Sequence, residues 1–187
     1  IRGFVTAKGE LKGKISDPNF SMKFNVDYPN FKGIRIREIW EGEIKNKNNQ
    51  FLLNMKNRYS PIPSFLSIKF DSNLKLDNVS FSRIFNSNKG SIEVFKENNS
   101  YIWEAKNFPL DELELSIGNN QFDRIEGIIN GSGSINSKQS YLDGRLAWSL
   151  GKYRNIKLAN SLFDFNFNDN FFYINSSLYP IDGGIIE

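Results

Sequence analysis

The chain has 187 residues with no histidine and no cysteine, and 24 Lys and Arg against 21 Asp and Glu leave a net charge of +3. Lacking thiol and imidazole, it has no disulfide, no Cys or His metal site, no Ser-His-Asp triad and no Cys-His nucleophile, so only carboxylates, Lys, Tyr and Ser remain as candidate catalysts. The small, interleaved charge offers no basic stripe for nucleic acid, and the chain reads as a non-enzymatic protein that needs no metal or cofactor.

Alanine occurs only at 7, 105, 147 and 159, whereas Phe, Ile, Asn, Ser and Tyr are abundant, so helix propensity is poor and strand propensity high. In AKGELKGKIS, Ala7, Gly9, Leu11, Gly13 and Ile15 alternate with Lys8, Glu10, Lys12, Lys14 and Ser16, the period of a strand with one charged face and one apolar face. FSMKFNVDY continues with Phe20, Met22, Phe24, Val26 and Tyr28. Further strands are expected at Ile34 and Ile36, at Phe51, Leu53 and Met55, at Leu66, Ile68 and Phe70, at Leu74 and Leu76, at Ile92 and Val94, and at Tyr101, Trp103 and Ala105. PLDELEL, from 109 to 115, fits a single helical turn with Pro109 at its first position and equally a strand edge.

In RIEGIINGSGSI the side that carries Ile125, Ile129 and Ile135 also carries Gly127, Gly131 and Gly133. Glycine weakens a strand, so its place on the apolar side, as at Gly9 and Gly13, calls for space: a tight coil of the sheet, or something lying close against it. Strands are then expected at Leu142, Leu146 and Trp148, at Ile156 and Leu158, at Phe163, Phe165 and Phe167, and at Phe172, Ile174 and Leu178. Turn clusters such as SDPN, NKNN, NSNKG and FNDN separate these runs.

An internal repeat organises the chain. GKIS at 13 aligns with GSIN at 133, and Met22, Val26 and Tyr28 align with Leu142, Leu146 and Trp148, an offset of 120 residues. FKGIRI at 31 matches YRNIKL at 153 after a two-residue insertion, and FLLNMKNRYSPI at 51 parallels FFYINSSLYPI at 171. The chain is therefore expected to be one continuous unit, 1–187, with copies at about 9–62 and 127–184 flanking a middle block, 63–126. It has no initiating Met and both ends fall inside strand-like pattern, so a piece of a longer chain is expected. No run of 18 apolar residues and no apolar signal core is present.

An amphipathic antiparallel sheet needs cover for its apolar face: a second sheet, closure into a barrel, or curvature that makes the face line its own trough. The repeat and the inward glycines favour an all-β, antiparallel, strongly curved and elongated sheet forming an apolar groove; a β-sandwich is the alternative. The groove lining would be Leu11, Ile15, Phe20, Met22, Phe24, Val26, Ile34, Ile36, Leu53, Met55, Ile129, Ile135, Leu142, Leu146, Trp148, Phe163, Phe165 and Phe167, with Gly9, Gly13, Gly127, Gly131 and Gly133 on the same face.

GxLxGxIxDP at Gly9 to Pro18, GxLxW at Gly144 to Trp148 and SLYPIDGG at Ser177 to Gly184 resemble the repeating β-groove, or β-taco, region of TamB-like translocation and assembly module proteins. The resemblance spans nearly the whole chain. It implies a segment of a large envelope protein, anchored in the inner membrane and crossing the periplasm, that shields phospholipid acyl chains on their way to the outer membrane. It also implies support of outer-membrane protein assembly with a BamA-like barrel partner. Such proteins have no catalytic residues to carry over.

Three other groupings have competing readings. Trp40, Trp103 and Trp148 would stack sugars on a carbohydrate-binding or adhesive sandwich, or pack between strands. Asp111, Glu112 and Glu114 carry the residue types of a glycosidase pair, with surface solvation the favoured reading. Lys32, Arg35 and Arg37 fit the solvated side of a strand.

Overall fold

The computed structural model describes residues 2–14, 17–31, 34–36, 38–47, 50–98, 100–116, 122–136, 141–154, 156–168, 171–176 and 180–181. Its described strands are β1 (Arg2–Lys14), β2 (Asp17–Phe31), β3 (Ile34–Ile36), β4 (Ile39–Lys47), β5 (Gln50–Arg58), β6 (Ser64–Phe70), β7 (Leu76–Phe85) and β8 (Asn88–Glu97). They continue as β9 (Ser100–Pro109), β10 (Leu113–Ser116), β11 (Phe122–Asn136), β12 (Tyr141–Tyr153), β13 (Ile156–Lys157), β14 (Ser161–Asn168) and β15 (Phe171–Ser176). All belong to a single 15-stranded antiparallel sheet, so the expectation of one antiparallel sheet holds, the two-sheet sandwich is not what the pairing gives, and the expected strong curling is not found.

The order along the sheet is β1, β2, β4, β5, β6, β7, β8, β9, β11, β12, β14, β15. Short β3 and β13 fold back on the ends of β2 and β12, and β10 pairs with both β3 and β11. Most neighbours along the order are also neighbours in sequence, because short polar turns close one antiparallel ladder after another.

The two segments aligned by the internal repeat share one pattern of pairing. β1 with β2, β2 with β3, β2 with β4 and β4 with β5 recur as β11 with β12, β12 with β13, β12 with β14 and β14 with β15. The match extends to single residues: Phe31 faces Ile34 at the first fold-back, and Tyr153 faces Ile156 at the second.

Several expectations are corrected. Leu74 is not in a strand; it sits in a turn with φ 58° and is exposed, and β7 begins at Leu76. Asp71 sets that turn, its Oδ1 accepting from the backbone N–H of Asn73 at 2.8 Å and of Lys75 at 2.9 Å. PLDELEL is not a helical turn; the strand-edge reading holds at its two ends, since β9 ends at Pro109 and Leu113 opens β10, with a turn at Leu110 to Glu112 between them. Tyr28 leaves the inward alternation, with φ 51° and an exposed ring.

The core lies on one face in two clusters. Phe24, Val26 and Trp40 form the first, and Trp103, Ala105, Phe108, Leu113 and Ile129 the second; Phe81 packs against both. The Phe81 ring is 5.9 Å from that of Trp40 and 5.1 Å from that of Phe108.

Candidate functional site

Cross-strand partners in a ladder share a face, so the register shows what that face presents. One row runs Gly9, Met22, Ile44, Leu53, Ile68, Val79, Val94, Trp103, Gly133, Gly144, Phe165, Ile174. Two residues along each strand, a second runs Ala7, Phe24, Gly42, Met55, Leu66, Phe81, Ile92, Ala105, Gly131, Leu146, Phe163, Ser176. Of these residues only Ser176, at the sheet's end, is polar. The intervening residues, on the opposite face, are Lys8, Lys23, Glu43, Asn54, Ser67, Ser80, Glu93, Glu104, Ser132, Arg145, Asp164 and Asn175. At about 4.8 Å between strands, each row spans on the order of 50 Å across the sheet.

The expected lining residues Met22, Phe24, Leu53, Met55, Leu146, Phe163 and Phe165 stand in these rows, as do Gly9, Gly131 and Gly133. Val26 faces Val5 and Trp40 in a shorter flanking row, and Ile135 and Leu142 face Tyr101 and Phe167 in another. Ile129 pairs with Trp148. Leu11 faces Phe20, Gly13 faces Pro18, and Ile34 and Ile36 face β10, all placed by register; Ile15 lies outside the described residues. The expected lining drew on the two repeat copies and passed over the middle block, which supplies Leu66, Ile68, Val79, Phe81, Ile92, Val94, Trp103 and Ala105. Their alternation was the available signal.

Several of the glycines lie under the chain's own aromatic rings, whereas Gly9 lies against Met22. Trp103 lies across Gly133 and Gly144 to stack on Phe165, with centroids 5.7 Å and planes 19° apart, and its Nε1 donates to the Asp143 carbonyl at 3.1 Å. A Cβ on Gly133 would come within 2.5 Å of that Nε1, and one on Gly144 would strike the indole and lie 3.0 Å from Phe165. Trp148 likewise covers Gly127 and Gly151, its Nε1 donating to the Glu126 carbonyl at 3.0 Å. Gly42 lies under Phe24.

Beside Trp148 the face opens into a concavity of about 300 Å³, lined only by apolar side chains that include Leu110, Leu146, Trp148, Phe163, Phe165 and Ile174. A larger hollow of about 720 Å³ is bordered mainly by residues of the opposite, charged face, Lys8, Lys23, Glu41, Glu43 and Lys56 among them. Size alone would favour the larger one. Its acids are held by cations, Glu43 by Lys45 at 2.7 Å and Glu41 by Lys56 at 3.0 Å, so it reads as a solvated ion-pair surface, and the apolar concavity is the better candidate.

A polar cluster sits beside the apolar rows at one end of the strands. Buried Glu38 accepts from Asn57 Nδ2 at 2.9 Å and from Ser60 Oγ at 2.6 Å. Arg83, almost wholly buried, donates from Nε to Ser64 Oγ at 3.1 Å and from Nη1 to the Pro109 carbonyl at 2.8 Å, while Nη2 has no partner. Burial pushes the guanidinium below its ordinary pKa, and Glu38, Asp111 and Glu112 pull it back up. Asp111 is pushed above the usual carboxylate range chiefly by burial, and its Oδ2 is also unpartnered. Glu112 reaches Arg124 at 3.8 Å and Glu114 is buried, so the three carboxylates do not converge on a common open cleft. Among the described residues no group of acids could hold a metal ion, and no helix is long and apolar enough to cross a membrane.

No family model, no curated protein and no solved structure matches the chain.

Proposed function

We propose that the apolar face is a non-catalytic track for lipid acyl chains, and that the chain is a segment of a TamB-like conduit in a cell envelope, handling phospholipid between inner and outer membranes. The observation that carries this reading is the pair of apolar rows running the breadth of the sheet. An acyl chain of about 16 carbons exposes apolar surface worth about 0.8 kcal/mol per methylene, on the order of 12 kcal/mol in all. Where its residues are not already buried in the core, as at Leu146, Phe163 and Ile174 beside the apolar concavity, a face without a polar interruption offsets part of that cost.

The hydrogen bonds of the indoles support hydrocarbon rather than glycan. Trp103 and Trp148 spend their N–H donors on backbone carbonyls, and Trp40 and Trp103 are buried, so neither of those two presents an open ring for a sugar. The test is uptake of a fluorescent fatty acid, with quenching of tryptophan emission by brominated phospholipid, in the wild type and in Leu146→Asp and Phe163→Asp. Binding by the wild type that both variants lose supports the track. No uptake and no quenching by the folded wild type overturns it.

A further inference from the structure

Where β4 begins and β5 ends, the chain leaves a hollow of about 200 Å³ whose walls include Tyr28, Glu38, Arg58, Tyr59, Ser60 and Glu112. Its place follows from the register. Val26 faces Trp40, and Trp40 faces Asn57, in the flanking apolar row; Asn57 then donates to Glu38 on the wall of the hollow. The apolar face thus gives way to a polar recess at this end of the strands. One cation and two carboxylates line the same small space, yet among the described residues Arg58 makes no ion pair with Glu38 or Glu112. Arg58 reaches Glu41 instead, at 3.7 Å, and stands 5.0 Å from the Tyr59 ring centroid. Glu112 reaches Arg124 at 3.8 Å. Both ion pairs are long and partly in solvent, so each group keeps hydrogen-bonding capacity for a ligand. Tyr28, Tyr59 and Glu112 all have left-handed backbone, with φ of 51°, 57° and 63°, strain of the kind that gathers at ligand sites.

We propose that this hollow takes the phosphate-ammonium headgroup of a zwitterionic phospholipid whose acyl chains lie on the adjoining apolar face. The Arg58 guanidinium takes the phosphate through its fork of N–H donors. The Glu112 carboxylate takes the ammonium, with the exposed rings of Tyr28 and Tyr59 offering their faces to the cation. Glu38 adds negative potential from the wall while its own oxygens are held by Asn57 and Ser60. Opposite charges that line one hollow without neutralising each other suit a ligand that carries both signs, since an anion or a cation alone meets a like charge there. The volume is below the roughly 300 Å³ of a drug-sized site, so a headgroup enters and an acyl chain does not. The choice of a lipid as the source of this headgroup rests on the track reading above; the recognition of the headgroup itself does not.

The test follows the ring signals of Tyr28 and Tyr59 by NMR, assigned with Tyr28→Phe and Tyr59→Phe, as the wild type is titrated with glycerophosphoethanolamine, glycerol 3-phosphate or ethanolamine. The expected result is saturable binding of glycerophosphoethanolamine, about tenfold tighter than of either half alone, and about tenfold weaker in Arg58→Gln and in Glu112→Gln, as the loss of one charge-assisted contact predicts. Both side chains are partly exposed, so these variants are expected to fold. Equal binding of glycerol 3-phosphate or of ethanolamine would mean a site for a single charge and overturn the proposal. So would the absence of any shift, or variants that bind as the wild type does. Lysophosphatidylethanolamine, kept below its micelle concentration, separates this site from the track. Tighter binding of it than of glycerophosphoethanolamine supports both. Equal binding leaves the headgroup site standing and counts against the track, whereas fatty-acid uptake with no headgroup binding leaves the track and overturns the site.

Discussion

The Trp103 indole lies flat over two neighbouring strands and stacks on Phe165 of a third, 5.7 Å between ring centroids. That span is open only because Gly133 and Gly144 stand beneath the ring. Gly144→Ala is expected to cost about 1–3 kcal/mol, as overpacking of a filled core does. In a Trp103→Leu background the same change should cost much less, giving a coupling of about 0.5–3 kcal/mol between the two positions. Urea titration of the four chains measures it. Additive costs would mean that the indole does not set the need for glycine at 144.

Gly127 has a different requirement. Its φ of 119° lies where side chains are strained, and a Cβ there would approach Trp148 Nε1 to 2.5 Å and the Ser149 carbonyl to 2.7 Å. Strain of about 1–3 kcal/mol therefore adds to the collision, and removing the indole relieves only part of it. Gly127→Ala should destabilise in both the wild-type and the Trp148→Leu backgrounds, by a smaller amount in the second. Thermal melts of the four chains decide this, and a full rescue by Trp148→Leu would show that backbone conformation is not at issue.

Alternation made β1, β2 and β14 legible, since Met22, Phe24 and Val26 or Phe163, Phe165 and Phe167 recur every second residue on one face. The match of FKGIRI with YRNIKL marked two fold-backs that share a pairing pattern. β4 went unread although Trp40, Gly42 and Ile44 alternate, because glycine breaks the apolar series and Glu41 and Glu43 dominate the stretch. Leu74 misled because its neighbour Leu76 is a strand residue, while the turn at 71–74 depends on Asp71 bonding to the backbone. The length of the apolar rows was not legible at all. It is a property of eleven successive registers, each fixed by contacts between distant residues, and the role of Gly133 and Gly144 depends on a tryptophan some 30 to 40 positions earlier in the chain.

Arg83 is a buried cation with two hydrogen bonds and, among the described residues, no carboxylate in contact. Arg83→Met keeps the apolar stem beside Phe108 and removes the charge, but strands the Pro109 carbonyl, so a cost of about 1–3 kcal/mol is expected. Arg83→Lys should cost more: an ammonium keeps the buried charge and cannot reproduce the planar fork to Ser64 and Pro109. Denaturant midpoints rank the three chains. A lysine variant as stable as the wild type would mean that the fork carries no weight.

Asp111 works against the fold at neutral pH. Burial first, and then Glu126, raise its carboxyl above the ordinary aspartate value of 3.8, with Arg83 and backbone N–H groups opposing. A carboxyl whose folded pKa exceeds its unfolded pKa binds its proton more readily when folded, so the native state gains as pH falls through the folded value toward 3.8. Above that window the ionised, unpartnered Oδ2 is a standing penalty. Asp111→Asn removes the ionisation at nearly constant shape and is expected to raise Tm at neutral pH. The gain should shrink as the solution is acidified and vanish below the unfolded carboxylate's pKa, where the wild-type group is neutral in both states. Thermal melts of the two chains across that range test the sign directly. A variant less stable than the wild type at neutral pH, or a gain that grows on acidification, would show that Arg83 and the backbone already compensate the buried charge.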